Sequence, residues 1–259
     1  MKLKYTVLTV FSVTTLAACV ATGGNSASGG STDMQISAAT DMFKAATVSD
    51  DELKSASLQY RQAADKQMKV APASSKYAKR LAKLSAKHLN EDGLTLNFKV
   101  YIVKDINANA TPDGSIRFYS GIMDMMTDQE LLGIMGHEIG HVKLGHALAA
   151  TRTAYMASAG RKAAASAGGV AGALSASDLG AFGEKLLNSQ FSQSQETASD
   201  DYGLAFMKKY GYDQKAMESA LRKLAKLGGK QGTMDAMLSS HPDSEARANR
   251  MRDKIASGS

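Results

Sequence analysis

The chain has 259 residues, of which 44% are hydrophobic, 22% charged and 6% aromatic, so a globular protein with a substantial core is expected and a disordered or fibrous one is not. Its single cysteine excludes an internal disulfide and any cysteine-rich zinc module. The formal charge of +6 falls to +4 (29 basic against 25 acidic residues) when Lys2 and Lys4 of a removable leader are set aside; no basic run is interleaved with aromatics, so nucleic acid is not an expected partner.

Residues 1–18 read as a signal peptide. Lys2 and Lys4 form a basic start, and the uncharged run Tyr5 to Ala18 is too short for a permanent membrane span. Leu16-Ala17-Ala18-Cys19 resembles the lipobox of bacterial lipoproteins. That resemblance implies that the Cys19 thiol receives a diacylglycerol and that cleavage leaves Cys19 as the first residue. Val20 follows, and by the same resemblance the lack of Asp there implies the outer membrane, with the protein on its periplasmic side. Residues 20–37 are mostly Gly, Ser, Ala and Thr, a composition that buries little apolar area and reads as a flexible tether with a reach on the order of 23 Å.

The folded body is expected from residue 38 onward. Residues 38–90 carry helical patterns broken near Pro72. Tyr77, Leu81 and Leu84 form an apolar stripe, the lysines around them a solvated face, and His88 reads as a surface residue. Asp92-Gly93 signals a turn, and from Leu94 to Ile102 the pattern alternates with period two, as in a half-buried strand. Thr111-Pro112-Asp113-Gly114 is a second turn signal. Ser115–Tyr119 then alternates again, so a small antiparallel sheet is expected. Thr127 with Glu130 forms a capping box at the head of a helix predicted to reach about Leu148. Residues 147–183 are dominated by Ala, Gly and Ser and suggest weakly packed helices or a flap. Ala181–Lys209, Asp213–Leu227 and Ser244–Ile255 each read as a helix.

The chemistry is carried by His137-Glu138-Ile139-Gly140-His141, an HExxH motif inside the capped helix. Residues four apart lie one turn apart on one helix face, so both imidazoles can bind one metal ion. Glu138 sits beside them and can take a proton from water activated by that ion. A third protein ligand is needed. Leu144 and Ala147 stand where the longer histidine motif of another zinc-peptidase class would need Gly and His, and Cys19 belongs to the signal region at the lipobox, so neither a third motif histidine nor a cysteine ligand is available. The downstream glutamates are Glu184, Glu196, Glu218 and Glu245. Glu196 is the preferred candidate, because Asp200 follows at i+4 and can accept the free N–H of a ligand histidine. His146 lies off the ligand face and reads as structural.

The stretch HEIGHVKLGHAL, with Glu196-Thr197-Ala198-Ser199-Asp200 downstream and Ser240-His241-Pro242 beyond, resembles the HtpX-like / CAAX-prenyl-protease family of zinc metallopeptidases over residues 75–256. The resemblance implies an α+β fold, mainly helical, with a small sheet beside the HExxH helix. It implies one Zn²⁺ per chain bound by His137, His141 and Glu196, with Glu138 as the catalytic base. The family segment ExEAD is altered here, with Ala198 and Ser199 in place of its second Glu and its Ala. The resemblance also places His241 near the site, where it could stabilise an oxyanion, contact zinc in a closed state, or serve only the loop. Arg247 is a candidate partner for Asp200 or for a substrate carboxylate. An edge strand is expected to bind extended substrate by strand addition, here Ser115, Ile116, Arg117, Phe118 and Tyr119. The expected substrates are misfolded or unassembled envelope proteins. The alternative is an assembly or holding factor for outer-membrane proteins, in contact with their assembly machinery, with its peptidase activity repressed.

Overall fold

The computed structural model describes residues 48–159, 176–187, 189–227 and 235–258. The leader, Cys19, the tether and residues 160–175 of the Ala/Gly-rich insert lie outside the described residues. No described helix is long and apolar enough to cross a membrane.

The first two helices are α1 (Asp50–Gln67) and α2 (Lys76–Ser85), separated by the stretch around Pro72 as expected. A short hairpin, β1 (Asn90–Glu91) and β2 (Leu94–Thr95), turns at Asp92-Gly93, where both residues have positive φ. A second sheet contains β3 (Asn97–Tyr101), β4 (Ala108–Ala110) and β5 (Ser115–Tyr119) in the order β3-β5-β4. It is mixed: β3 runs parallel to β5 and β4 antiparallel to it. The alternating run 94–102 is therefore two strands, broken at the buried Leu96. Tyr101, expected on the polar face, is buried because α1 covers that face and Asp65 accepts its hydroxyl at 2.6 Å.

A short helix α3 (Ser120–Met125) leads to α4 (Asp128–Lys143), which carries the HExxH motif. The capping box forms: Thr127 N donates to Glu130 Oε2 at 2.7 Å, and Glu130 N donates to Thr127 Oγ1 at 3.3 Å. Every residue from Glu130 to Val142 is buried, so α4 is the central element of the domain. It ends five residues earlier than its apolar pattern suggests. Gly145 adopts φ +76°, a left-handed conformation that closes the helix, and α5 (His146–Ala159) starts on a new axis.

The expected helix 181–209 is two helices, α6 (Ala176–Leu187) and α7 (Gln193–Lys209). Ser192 and Gln195 form the capping box that starts α7. The described part of the Ala/Gly-rich region is packed: Phe182 is buried and meets Tyr60 of α1 edge to face at 5.9 Å. The chain finishes with α8 (Lys215–Ala225), the short α9 (Asp235–Ser240) and α10 (Ser244–Ser257).

Helices α4 and α7 cross at a seam of small residues. A Cβ on Gly136 would stand 2.8 Å from Phe206 Cδ1 and 3.1 Å from Gly203 Cα. One on Gly140 would stand 3.2 Å from Ser199 Cα. This close approach brings the carboxylates of α7 against the imidazoles of α4. Gly136→Ala is expected to destabilise the protein, because overpacking of roughly 1–3 kcal/mol outweighs a helix-propensity gain of about 1 kcal/mol. Urea denaturation together with a zinc titration checks this, and both stability and metal affinity should fall.

His88 is buried rather than exposed. Its Nε2 lies 2.9 Å from the Tyr212 hydroxyl, and Phe206 and Tyr210 pack on its ring. The C-terminal part of α7 and the loop after it cover it, and burial lowers its pKa.

Candidate active site

The two motif histidines face α7 from successive turns of α4. His137 Nε2 and His141 Nε2 lie 3.0 Å apart. Glu196, in the first turn of α7, places Oε1 3.1 Å from His141 Nε2 and Oε2 3.7 Å from His137 Nε2. His241, just after α9, adds Nδ1 at 2.9 Å from Glu196 Oε1 and 3.3 Å from His137 Nε2. All four residues are buried, and one ligand atom from each lies within 4.8 Å of the others.

These residues fit a metal ion. Bonds of about 2.0–2.1 Å in a tetrahedron would separate ligand atoms by roughly 3.3 Å, and the observed spacings bracket that value. The donor set of three imidazole nitrogens and one carboxylate suits zinc. Burial lowers the pKa of His141 well below its usual range, which keeps the ring neutral and its lone pair free. Burial acts against ionisation of Glu196, but the charges of His241 and His137 and hydrogen bonds from His141 and His241 outweigh it, so the carboxyl stays ionised. Burial likewise opposes protonation of His241, and Glu196 outweighs it, pulling the ring toward imidazolium. A divalent cation among these atoms would displace that proton.

Further contacts hold the rings in place. Asp200 Oδ1 lies 3.0 Å from His137 Nδ1. Arg247 of α10 grips Asp200 with two donors, Nε to Oδ2 at 2.8 Å and Nη2 to Oδ1 at 2.6 Å, and its Nη1 contacts Glu196 Oε2. Burial would raise the Asp200 pKa, yet Arg247 and His137 hold it at about 2. His146, read from sequence as lying off the ligand face, stands 3.3 Å from His141 Nδ1 and 3.1 Å from Ser199 Oγ. The serine in place of the family's alanine thus has a partner. Phe191 stacks on the His141 ring at 3.8 Å between centroids. Neither role was read from the sequence. The signal for His146 is Gly145, which resets the helical phase.

Glu138 is buried, its Oε1 has no hydrogen-bond partner, and His241 Nε2 stands 3.7 Å away. It lines a narrow cleft of about 40 Å³ with Asn107, Asn109, Thr111, Phe191 and His241. Strand β4 forms one wall of this cleft and packs on α4. The strand expected to receive substrate, Ser115–Tyr119, is not an edge. β5 is hydrogen-bonded to β3 on one side and β4 on the other, so its backbone has no free side. Ile116 and Phe118 are core residues, and Ser115 donates to Asp113. Tyr119 packs its ring on Tyr101. Arg117, also buried, clamps Asp65 of α1 with two hydrogen bonds of 2.9 Å. The edge beside the site is β4, too short and non-alternating to be recognised from sequence.

Comparison with known proteins agrees with this geometry. Residues 72–255 match peptidase family M48. The chain is 44% identical over 222 residues to the metalloprotease LoiP of Escherichia coli K12, covering 85% of this chain and 87% of that one. It is 42% identical over 243 residues to the metalloprotease YcaL of the same organism, covering 93% and 94%. A putative beta-barrel assembly-enhancing protease of Vibrio cholerae is 28% identical over 167 residues, covering 61% of this chain and 34% of that one. With an HExxH helix, a glutamate helix and a buried ligand cluster between them, this chain belongs to peptidase family M48 and is a metalloendopeptidase.

Proposed function

We propose that this metalloendopeptidase is a zinc enzyme, lipid-anchored through Cys19 at the periplasmic face of the outer membrane, that cleaves misfolded or unassembled envelope proteins. The observation that carries the catalytic part is the convergence of His137, His141 and Glu196 next to Glu138, a buried carboxylate that lines the adjoining cleft and whose Oε1 has no hydrogen-bond partner. Zinc held there supplies Lewis-acid polarisation of water and of the scissile carbonyl. Glu138 accepts the proton of the attacking water and delivers it to the leaving amine. Asp200 accepts the Nδ1 proton of His137 and fixes its tautomer. Arg247 keeps Asp200 ionised and contacts Glu196. Among the described residues β4 has a partner strand on one side only, and its other edge would pair with an extended stretch of substrate, so an unfolded chain, whose backbone is available, is the natural substrate.

His241 Nδ1 occupies a corner that a catalytic site leaves open. In our reading this is a resting arrangement, in which His241 would compete with water for the ion and the loop carrying it would withdraw to admit substrate. This observation also favours the second reading, an outer-membrane assembly or holding factor with restrained proteolysis, to which the name of the V. cholerae relative lends support.

The experiment is digestion of unfolded casein by the purified chain, with and without a chelator. Cleavage that stops with chelator and returns with zinc is expected, whereas binding without cleavage, insensitive to chelator, favours the holding role. In cells, Cys19→Ala should move the protein from the membrane to the soluble periplasmic fraction; a variant that stays in the membrane contradicts the anchor.

A further inference from the structure

The cleft is also lined by a charge that the mechanism does not use. Arg61 of α1 is only 3% exposed and lines the same cleft as Glu138 and His241. Its hydrogen bonds go to neutral groups, Nη2 to Asn109 Oδ1 at 2.8 Å and Nε to Thr111 Oγ1 at 3.4 Å, and its guanidinium lies 5.6 Å from the centroid of the Tyr60 ring. Among the described residues, no carboxylate makes an ion pair with it. Asp65, one turn further along α1, is already engaged by Arg117, Lys99 and the Tyr101 hydroxyl. Arg117 shows the contrast: it is equally buried, but a carboxylate grips it at two points.

A buried guanidinium without a counter-ion is costly, because desolvation is not repaid. Two polar atoms of residues on the same cleft have no hydrogen-bond partner. Asn107 is 5% exposed with Oδ1 unpartnered, and Asn109 Nδ2 is buried and unpartnered. Both side chains line the cleft. The Asn109 Nδ2 donor, without an acceptor beside a guanidinium that has no carboxylate partner, is an arrangement that a bound anion would satisfy. A planar guanidinium matches a carboxylate with two parallel hydrogen bonds, and the Asn109 amide adds a third donor.

We propose that Arg61, with Asn109, forms a substrate subsite that binds a carboxylate next to the scissile bond. The carboxylate is supplied either by an Asp or Glu side chain flanking that bond or by a free chain terminus close to it. This subsite rests on the peptidase reading, since it names the substrate class of the same cleft. Arg61 selects substrate and takes no part in the proton transfers.

The test uses quenched fluorescent peptides that differ only in Glu against Gln at each position flanking the cleaved bond, each with a free or an amidated C-terminus. Wild-type enzyme should cleave the carboxylate form with a kcat/KM about tenfold or more above its amide counterpart, mainly through KM. The position or terminus that shows the effect identifies the source. In Arg61→Gln the two forms should become equal, and Arg61→Lys should recover only part of the preference, because an ammonium cannot make the paired contact. A merely structural Arg61 would lower the melting temperature of Arg61→Gln and leave the Glu/Gln ratio as in wild type, which overturns the proposal. Should Arg61→Gln not fold, the wild-type ratio decides alone, and equal rates at every position and terminus refute the subsite. Direct binding of the same peptides to the Glu138→Gln protein distinguishes loss of the subsite from loss of the peptidase activity. Tight binding of the Glu form with no cleavage by wild type would preserve the subsite and defeat the peptidase reading; cleavage of both forms at one rate would do the reverse.

Discussion

Glu138→Gln is expected to lower kcat for peptide cleavage by roughly 10²–10⁴-fold while leaving the metal content unchanged. The glutamine keeps the size and position of the side chain but cannot accept a proton. Glu138 is not one of the residues of the ligand cluster; it lines the cleft, and its Oε1 has no hydrogen-bond partner. Its burial leaves it no solvent role that would survive the change. Single-turnover cleavage of an unfolded substrate, read beside the zinc content of the same sample, checks both halves. Activity within tenfold of wild type would remove Glu138 from the assigned step, and loss of zinc would make it a ligand.

The second large effect is expected at Arg247, where the substitution acts on stability. This residue is 8% exposed and contacts both buried acids of α7. Arg247→Ala strips the counter-ion from Asp200 and Glu196 together, and breaking a buried pair of this kind costs about 3–5 kcal/mol. Arg247→Lys should recover only part, since a single ammonium cannot hold two carboxylates in a fixed fork. The pH dependence has a definite sign. The folded-state pKa of Asp200 is depressed to about 2, so its contribution is fully present above the ordinary carboxylate range and is lost as pH falls toward 2. Without Arg247 the Asp200 pKa rises, and the loss should begin at higher pH. Urea midpoints of the metal-free protein at several acid pH values measure this; an unchanged midpoint at neutral pH would show that Arg247 holds nothing together.

The parts of the site legible in the sequence are those with a local period. His137 and His141 are one helical turn apart on any straight helix, and Thr127 with Glu130 caps that helix through neighbours in sequence. Glu196 and Asp200 share a helix face for the same reason. Features that depend on distant contacts were not legible. The pattern of β3 and β5 predicts two strands but not that they run parallel, because β4 adds to the far side of β5 and leaves β3 and β5 adjacent. β4 itself is three residues of Ala-Asn-Ala with no alternation. His88 sits among polar and lysine-rich neighbours in sequence, yet it is enclosed by aromatics more than a hundred positions away. Arg247 reaches Asp200 across 47 residues, a pairing that charge alone could only offer as one choice among several. The end of α4 depends on one glycine, and a single left-handed residue turned His146 back toward His141.

The most direct test of the account is the zinc content of purified wild-type protein beside Glu196→Ala and His137→Ala, by elemental analysis after equilibration with limiting zinc. The account predicts one zinc per chain in wild type and a loss of stoichiometric binding in both variants. Full occupancy in Glu196→Ala at the same free zinc would contradict it, because the carboxylate of α7 would then not hold the ion.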